Sequence, residues 1–231
     1  AARANKFQID WDKTNIIEPK ELGISVVQNT SLDALRDYID WSPFFRSWDL
    51  HGRYPDILTD KVVGPQATEL FEDAQKMLER IISENLLEAK GIFGLFKANT
   101  VNDDDIEVEV EPAVIKDIPH GGNYTFRTLR QQSKKAEGRP NIALADFIAP
   151  KESGIQDYVG CFCVSTGFGT AELAAEFEAA HDDYNSIMVK ALADRLAEAF
   201  AESLHKEVRT SHWGYNIDEH LSNQELIKEE Y

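Results

Sequence analysis

The sequence predicts a single α+β domain built on a mainly antiparallel, twisted sheet with long helices. Three observations carry this expectation. Residues 103–112, DDDIEVEVEP, alternate Ile106, Val108 and Val110 with Glu107, Glu109 and Glu111, the period of a strand with one wet face. Two stretches, 64–90 and 181–208, instead carry apolar residues at helical spacing over many turns. Strands and long helices interleave without an internal repeat or a Pro/Ser/Gly-rich linker, which favours one domain for 231 residues.

Taken in order, the segment up to Pro19 lacks periodicity and reads as an extended arm. SLDALRDYIDW (31–41) has a cap signal at Ser31 and apolar Leu32, Leu35, Tyr38 and Ile39, so a short helix is expected to end near Ser42-Pro43. That places Asp40 at a helix C-terminus, against the dipole, a cost usually met by a partner. Residues 64–90 form an amphipathic helix with Leu70, Ala74, Met77, Leu78, Ile81 and Ile82 on one face. GIFGLFKA (91–98) reads as a buried strand beside 103–112, with a Gly-rich turn at 120–123. IALADFIAP (142–150) and DYVGCFCVSTGFG (157–169) read as further strands, the second ending in a turn at Gly167-Phe168-Gly169. Helix resumes at Thr170, with a break expected near His181-Asp182-Asp183, and a final helix starts at Ser222 with Glu225 three residues on, the capping-box spacing.

The formal charge of −17, 24 basic against 41 acidic side chains, is spread along the chain and argues against nucleic acid as a partner. With 42% hydrophobic residues and no long apolar run, the chain reads as a soluble protein with no membrane partner; two cysteines and no signal-like segment make the cytoplasm the expected setting. Cys161 and Cys163, on one face of a strand, are expected to be small buried hydrophobes.

The 181–208 helix is apolar over more than half its circumference, leaving a narrow ridge of Asp194, Arg195, Glu198, Glu202 and His205. The pattern allows two readings. Arg195 can neutralise Glu198 and Glu202 structurally, or Glu198 can face a cleft and receive a cationic or hydroxyl-bearing ligand. His181, Asp182, Asp183 and His205 offer metal donors, but their spacing matches no familiar site, and no metal is expected. Neither a phosphate-binding loop nor a nucleophile elbow occurs, and no catalytic residue is assigned.

YIDWSPFF (38–45), LRQQ (129–132), LADFIAP (144–150), the segment 181–205 and the closing WGY…LSNQELIKEEY together resemble the C-terminal reactivation domain of cobalamin-dependent methionine synthase. The resemblance implies a domain that binds S-adenosylmethionine and docks on the cobalamin-binding domain of the same enzyme, which itself holds the cobalamin. One electron from a flavodoxin or flavoprotein reductase, and a methyl group from S-adenosylmethionine, then reactivate the cofactor within a methyltransferase acting on 5-methyltetrahydrofolate and homocysteine. The family's ligand contacts carry over to Asp40, Glu198 and, in the closing helix, Glu229. Its downstream R-x-x-x-G-Y segment has no counterpart before Tyr231, so the chain is expected to be truncated ahead of that motif and to bind S-adenosylmethionine weakly or not at all. Two competing functions remain at this stage: a metal-dependent hydrolase using Asp194, Glu198, His181 and His205, and an acidic protein-interaction module without a small-molecule ligand.

Overall fold

The computed structural model describes residues 1–28, 30–111, 122–228 and 230–231, apart from the side chain of Gln224. It is an α+β fold with, among the described residues, five strands, β1 (Gly23–Val27), β2 (Glu88–Val101), β3 (Asp105–Val110), β4 (Gly122–Arg127) and β5 (Asp157–Phe168), in the order β1-β2-β3-β4 with β5 also paired to β2. The helices among the described residues are α1 (Leu32–Leu35), α2 (Trp41–Ser47), α3 (Gly64–Ser83), α4 (Thr170–Ala179), α5 (Asp183–Glu207) and α6 (Asn223–Ile227). The chain gathers into two compact units.

The first unit comprises 1–26, 92–162 and 208–217. Its sheet is antiparallel where β2, β3 and β4 meet, with Thr100 opposite Ile106 and Ile106 opposite Phe126. Alternation on β3 works as the sequence implies: Ile106, Val108 and Val110 bury against Ala98 and Ala145, flanked by Phe96, Ile148 and Val159. The expected strand at 142–150 is instead a 3-10 turn at Leu144–Phe147, followed by an isolated bridge between Pro150 and Thr100. The reason lies in Asp146, whose carboxylate accepts the Ala143 N–H at 3.0 Å and thereby closes a turn, while Thr100 donates its hydroxyl to Ala145 O at 2.5 Å.

The second unit comprises 27–91, 163–207 and 218–231. Helix α5 buries Met188, Val189, Leu192, Leu196, Phe200 and Leu204 and packs against α1, the 3-10 turn Arg36–Tyr38, α2, α3 and α4. Trp41, Phe44, Phe45 and Phe71 add an aromatic cluster with edge-on pairs at 5.0–5.6 Å between centroids. Helix α3 stops at Ser83, short of the expected 90, because Asn85 takes the left-handed conformation (φ 52°). Its neighbours complete a Schellman closure, Leu86 N–H to Ile81 O at 3.0 Å and Asn85 N–H to Ile82 O at 3.2 Å. Between α4 and α5 the predicted break falls at His181 (φ 58°), and Asp182 caps α5 by accepting the Asn185 N–H at 3.0 Å. Gly169, the predicted turn, has φ 97°, and a Cβ there would lie 2.3 Å from Leu86 O, so only glycine fits.

The closing helix begins as its spacing implies. Glu225 accepts the Ser222 N–H at 2.8 Å and the Glu225 N–H reaches back toward Ser222 Oγ at 3.4 Å. Cys161 and Cys163 correct an expectation: both are free and exposed, because among the described residues β5 pairs with β2 alone and its middle residues lie open to solvent. The Gly-rich turn at 120–123 lies largely outside the described residues.

Candidate functional site

The acids singled out by sequence lie in the second unit, and the first of them is placed differently from its expectation. The helix expected over 31–41 ends at Leu35, continues as a 3-10 turn through Tyr38 and stops at the extended Ile39. Asp40 is then the N-cap of α2, with Oδ1 accepting the Ser42 N–H at 2.9 Å. Its charge therefore works with the dipole of α2 and not against that of α1. D-W-S-P is itself a helix-start signal, an Asp followed by a proline within the first turn, and reading it so would have placed Asp40 correctly. Ser42 is braced in turn, its Oγ accepting the Tyr54 N–H at 3.2 Å. The other Asp40 oxygen, Oδ2, has no hydrogen-bond partner among the described residues, and the side chain is half-buried.

Glu198 is exposed on α5 and has no ion-pair or hydrogen-bond partner among the described residues. Arg195 turns instead to its neighbour Asp194, at 2.6 Å, so it does not neutralise Glu198. The two elements that flank Asp40, the 3-10 turn Arg36–Tyr38 and α2, both pack on α5. Helix α6 packs on the same 3-10 turn, where Asn223 donates to Asp37 O at 3.0 Å. His205, seven residues after Glu198 and so on the same side of α5, stands edge-on to Tyr231 with centroids 5.0 Å apart. Asp40, the Glu198 side of α5 and the chain terminus are thus carried by elements that converge. Glu229 itself lies outside the described residues.

The motifs LRQQ and LADFIAP meet in the first unit, for a reason that spacing does not show. Arg130, 1% exposed, donates from Nη1 and Nη2 to the two oxygens of Asp146 at 2.6 Å each, from Nε to Asp104 at 2.8 Å and from Nη1 to Asn141 O at 2.7 Å. Burial alone pushes Asp146 upward, but the hydrogen bonds from Arg130 and the Ala143 N–H outweigh it and hold the carboxyl below its ordinary value. Asp104 follows the same balance, burial opposed by bonds from Arg3 and Arg130, with the same net direction. This buried cluster has all its charges answered and leaves nothing for a ligand. The signal that could have found it is Asp146, the one charged residue within the otherwise apolar LADFIAP.

Among the described residues no three His, Cys, Asp or Glu side chains gather as a metal would require. Asp194 is taken up by Arg195 and His205 stands edge-on to Tyr231, so the four groups of the hydrolase alternative are not assembled among the described residues.

Residues 31–231 match the family model of the vitamin B12-dependent methionine synthase activation domain. This chain belongs to that family. The activation domain is also similar throughout to the solved crystal structure of the MetH reactivation domain bound to AdoHcy, at 50% identity and a TM-score of 0.90, over 100% of this chain and 68% of that one. Membership makes it a domain of a methyltransferase whose reaction depends on a cobalamin-binding partner domain. No helix among the described residues is long and apolar enough to cross a membrane.

Proposed function

We propose that this activation domain binds S-adenosylmethionine through Asp40, Glu198 and Glu229 and presents it to the cobalamin held by a neighbouring domain. The observation that carries the reading is the 50% identity, over the whole chain, to a reactivation domain solved with AdoHcy, the demethylated form of the same ligand. The local chemistry fits. Asp40 keeps one oxygen on its helix cap and has the other open, and Glu198 is a carboxylate without a partner among the described residues. Two acids of this kind suit a ligand that carries a sulfonium, an ammonium and ribose hydroxyls.

S-adenosylmethionine supplies an activated methyl group when bound. The chain's own part is to hold and orient it; none of its side chains acts as nucleophile or general base, and an electron arrives from a flavodoxin or flavoprotein reductase. By itself the chain is not a catalyst. The test is titration of the complete enzyme with S-adenosylmethionine. Asp40→Asn keeps the helix cap, since asparagine caps as well as aspartate, yet removes the charge. Weaker binding with an unchanged melt supports the assignment. Unaltered binding in both Asp40→Asn and Glu198→Gln rejects the site and favours an acidic interaction surface.

A further inference from the structure

A concave site lies in the first unit, formed by the loop that links LRQQ to LADFIAP. Its neck is closed by the Gln131 N–H donating to Ile142 O at 2.9 Å. Its interior is pinned by the buried Asn141, whose side-chain amide donates to Gln131 O at 2.7 Å and Ser133 O at 2.9 Å. The arm adds a further tie, with Asn5 Nδ2 donating to Arg139 O at 2.9 Å and Asn141 N–H donating to Asn5 O at 2.8 Å. Gly138, at φ 76°, makes the sharp bend at the tip. The loop is therefore held in one shape from both ends, and it encloses a depression of about 430 Å³.

Lys134, Lys135 and Arg139 line that depression together with Gln131 and Ser133, and no carboxylate does. None of the three cations is in an ion pair among the described residues. In a chain with 41 acids and 24 bases this is an unusual arrangement. Elsewhere Lys6, Lys13, Arg36, Lys76, Lys151 and Lys190 each meet an acid, and Lys20, Arg46, Arg53 and Lys61, unpaired among the described residues, do not line this hollow. Three like charges converging on one hollow repel each other unless an anion joins them.

We propose that this loop is a binding site for a multiply charged phosphate of the diphosphate class. Two lysines act as mobile point charges, the arginine offers a planar fork, and Gln131 and Ser133 add neutral donors. The volume exceeds that of one phosphate and admits a second phosphoryl group or an attached nucleoside. The site is separate from the residues assigned above to S-adenosylmethionine, and its test does not depend on them.

The experiment is calorimetric titration at fixed ionic strength with sodium pyrophosphate as probe, sodium chloride as control, and ADP in a parallel arm. Saturable binding is expected, and replacing Lys134, Lys135 and Arg139 together by alanine weakens it by roughly tenfold or more, as for loss of charge-assisted contacts. Because these side chains sit on an exposed loop, the melt of the triple variant stays where it was; Lys61→Ala, an exposed lysine elsewhere, leaves binding intact. ADP binding more tightly than pyrophosphate identifies a nucleotide as the source, and equal binding identifies free inorganic diphosphate. Absence of saturable heat, or a triple variant that binds like the parent, overturns the proposal.

Discussion

In the first unit Asp104 and Asp146 close on one buried guanidinium, whereas in the second the half-buried Asp40 and the exposed Glu198 have lone pairs to spare. Asp146 and Arg130 come from segments as characteristic of the family as those of Asp40 and Glu198, so motif membership does not separate structure from binding. What separates them is whether the charge is already answered. A carboxylate that accepts two bonds from an arginine and one from a backbone N–H, as Asp146 does, has spent its capacity on the fold. One with an open oxygen, such as Asp40, has not.

The comparison can be broken by substitution. The largest effect is expected at Asp146→Asn, which leaves Arg130 buried with half its charge compensation gone and costs about 3–5 kcal/mol, read as a lower urea midpoint. A change within error would mean that the cluster is incidental. Next comes acid sensitivity. Asp104 and Asp146 both titrate lower in the folded chain, so the stability they contribute is complete above the unfolded aspartate value of about 3.9 and is lost as pH falls below it toward the folded values. Asp146→Asn should flatten the part of the stability curve that lies below about pH 4, and an equally steep loss in the variant would place the acid-sensitive group elsewhere.

Smaller effects test the second unit. Ser222→Ala removes one half of the capping box and should cost about 0.5–2 kcal/mol, seen as faster hydrogen exchange across α6. Glu198→Gln should shift stability by no more than about 0.5 kcal/mol, as for an exposed side chain without partners. If Glu198→Gln unfolds the chain, the contrast between spent and open carboxylates fails.

The sequence makes much of the fold legible because its strongest signals are periodic. Alternation on β3, the apolar stripe of α3, the capping box of Ser222 and Glu225 and the break at His181 are all local patterns with local causes. The misreadings at 142–150 and 31–41 share one origin. In each, an aspartate side chain competes for backbone N–H groups and ends a run that apolar content alone extends. The exposure of Cys161 and Cys163 was not legible either, since it follows from how many neighbours β5 has. For the site, residue types pointed to Glu198 only as one of two readings. Arg195 choosing the adjacent Asp194 over Glu198 is a side-chain rotamer outcome that spacing leaves open.

The central claim, that Asp40 and Glu198 are kept open for a cationic ligand, is tested most directly by calorimetry of S-adenosylmethionine binding to the complete enzyme carrying Glu198→Gln. The account predicts affinity lower by roughly ten- to hundredfold, with the thermal midpoint unchanged. Unchanged affinity, or a midpoint that collapses while affinity per folded molecule holds, would contradict it.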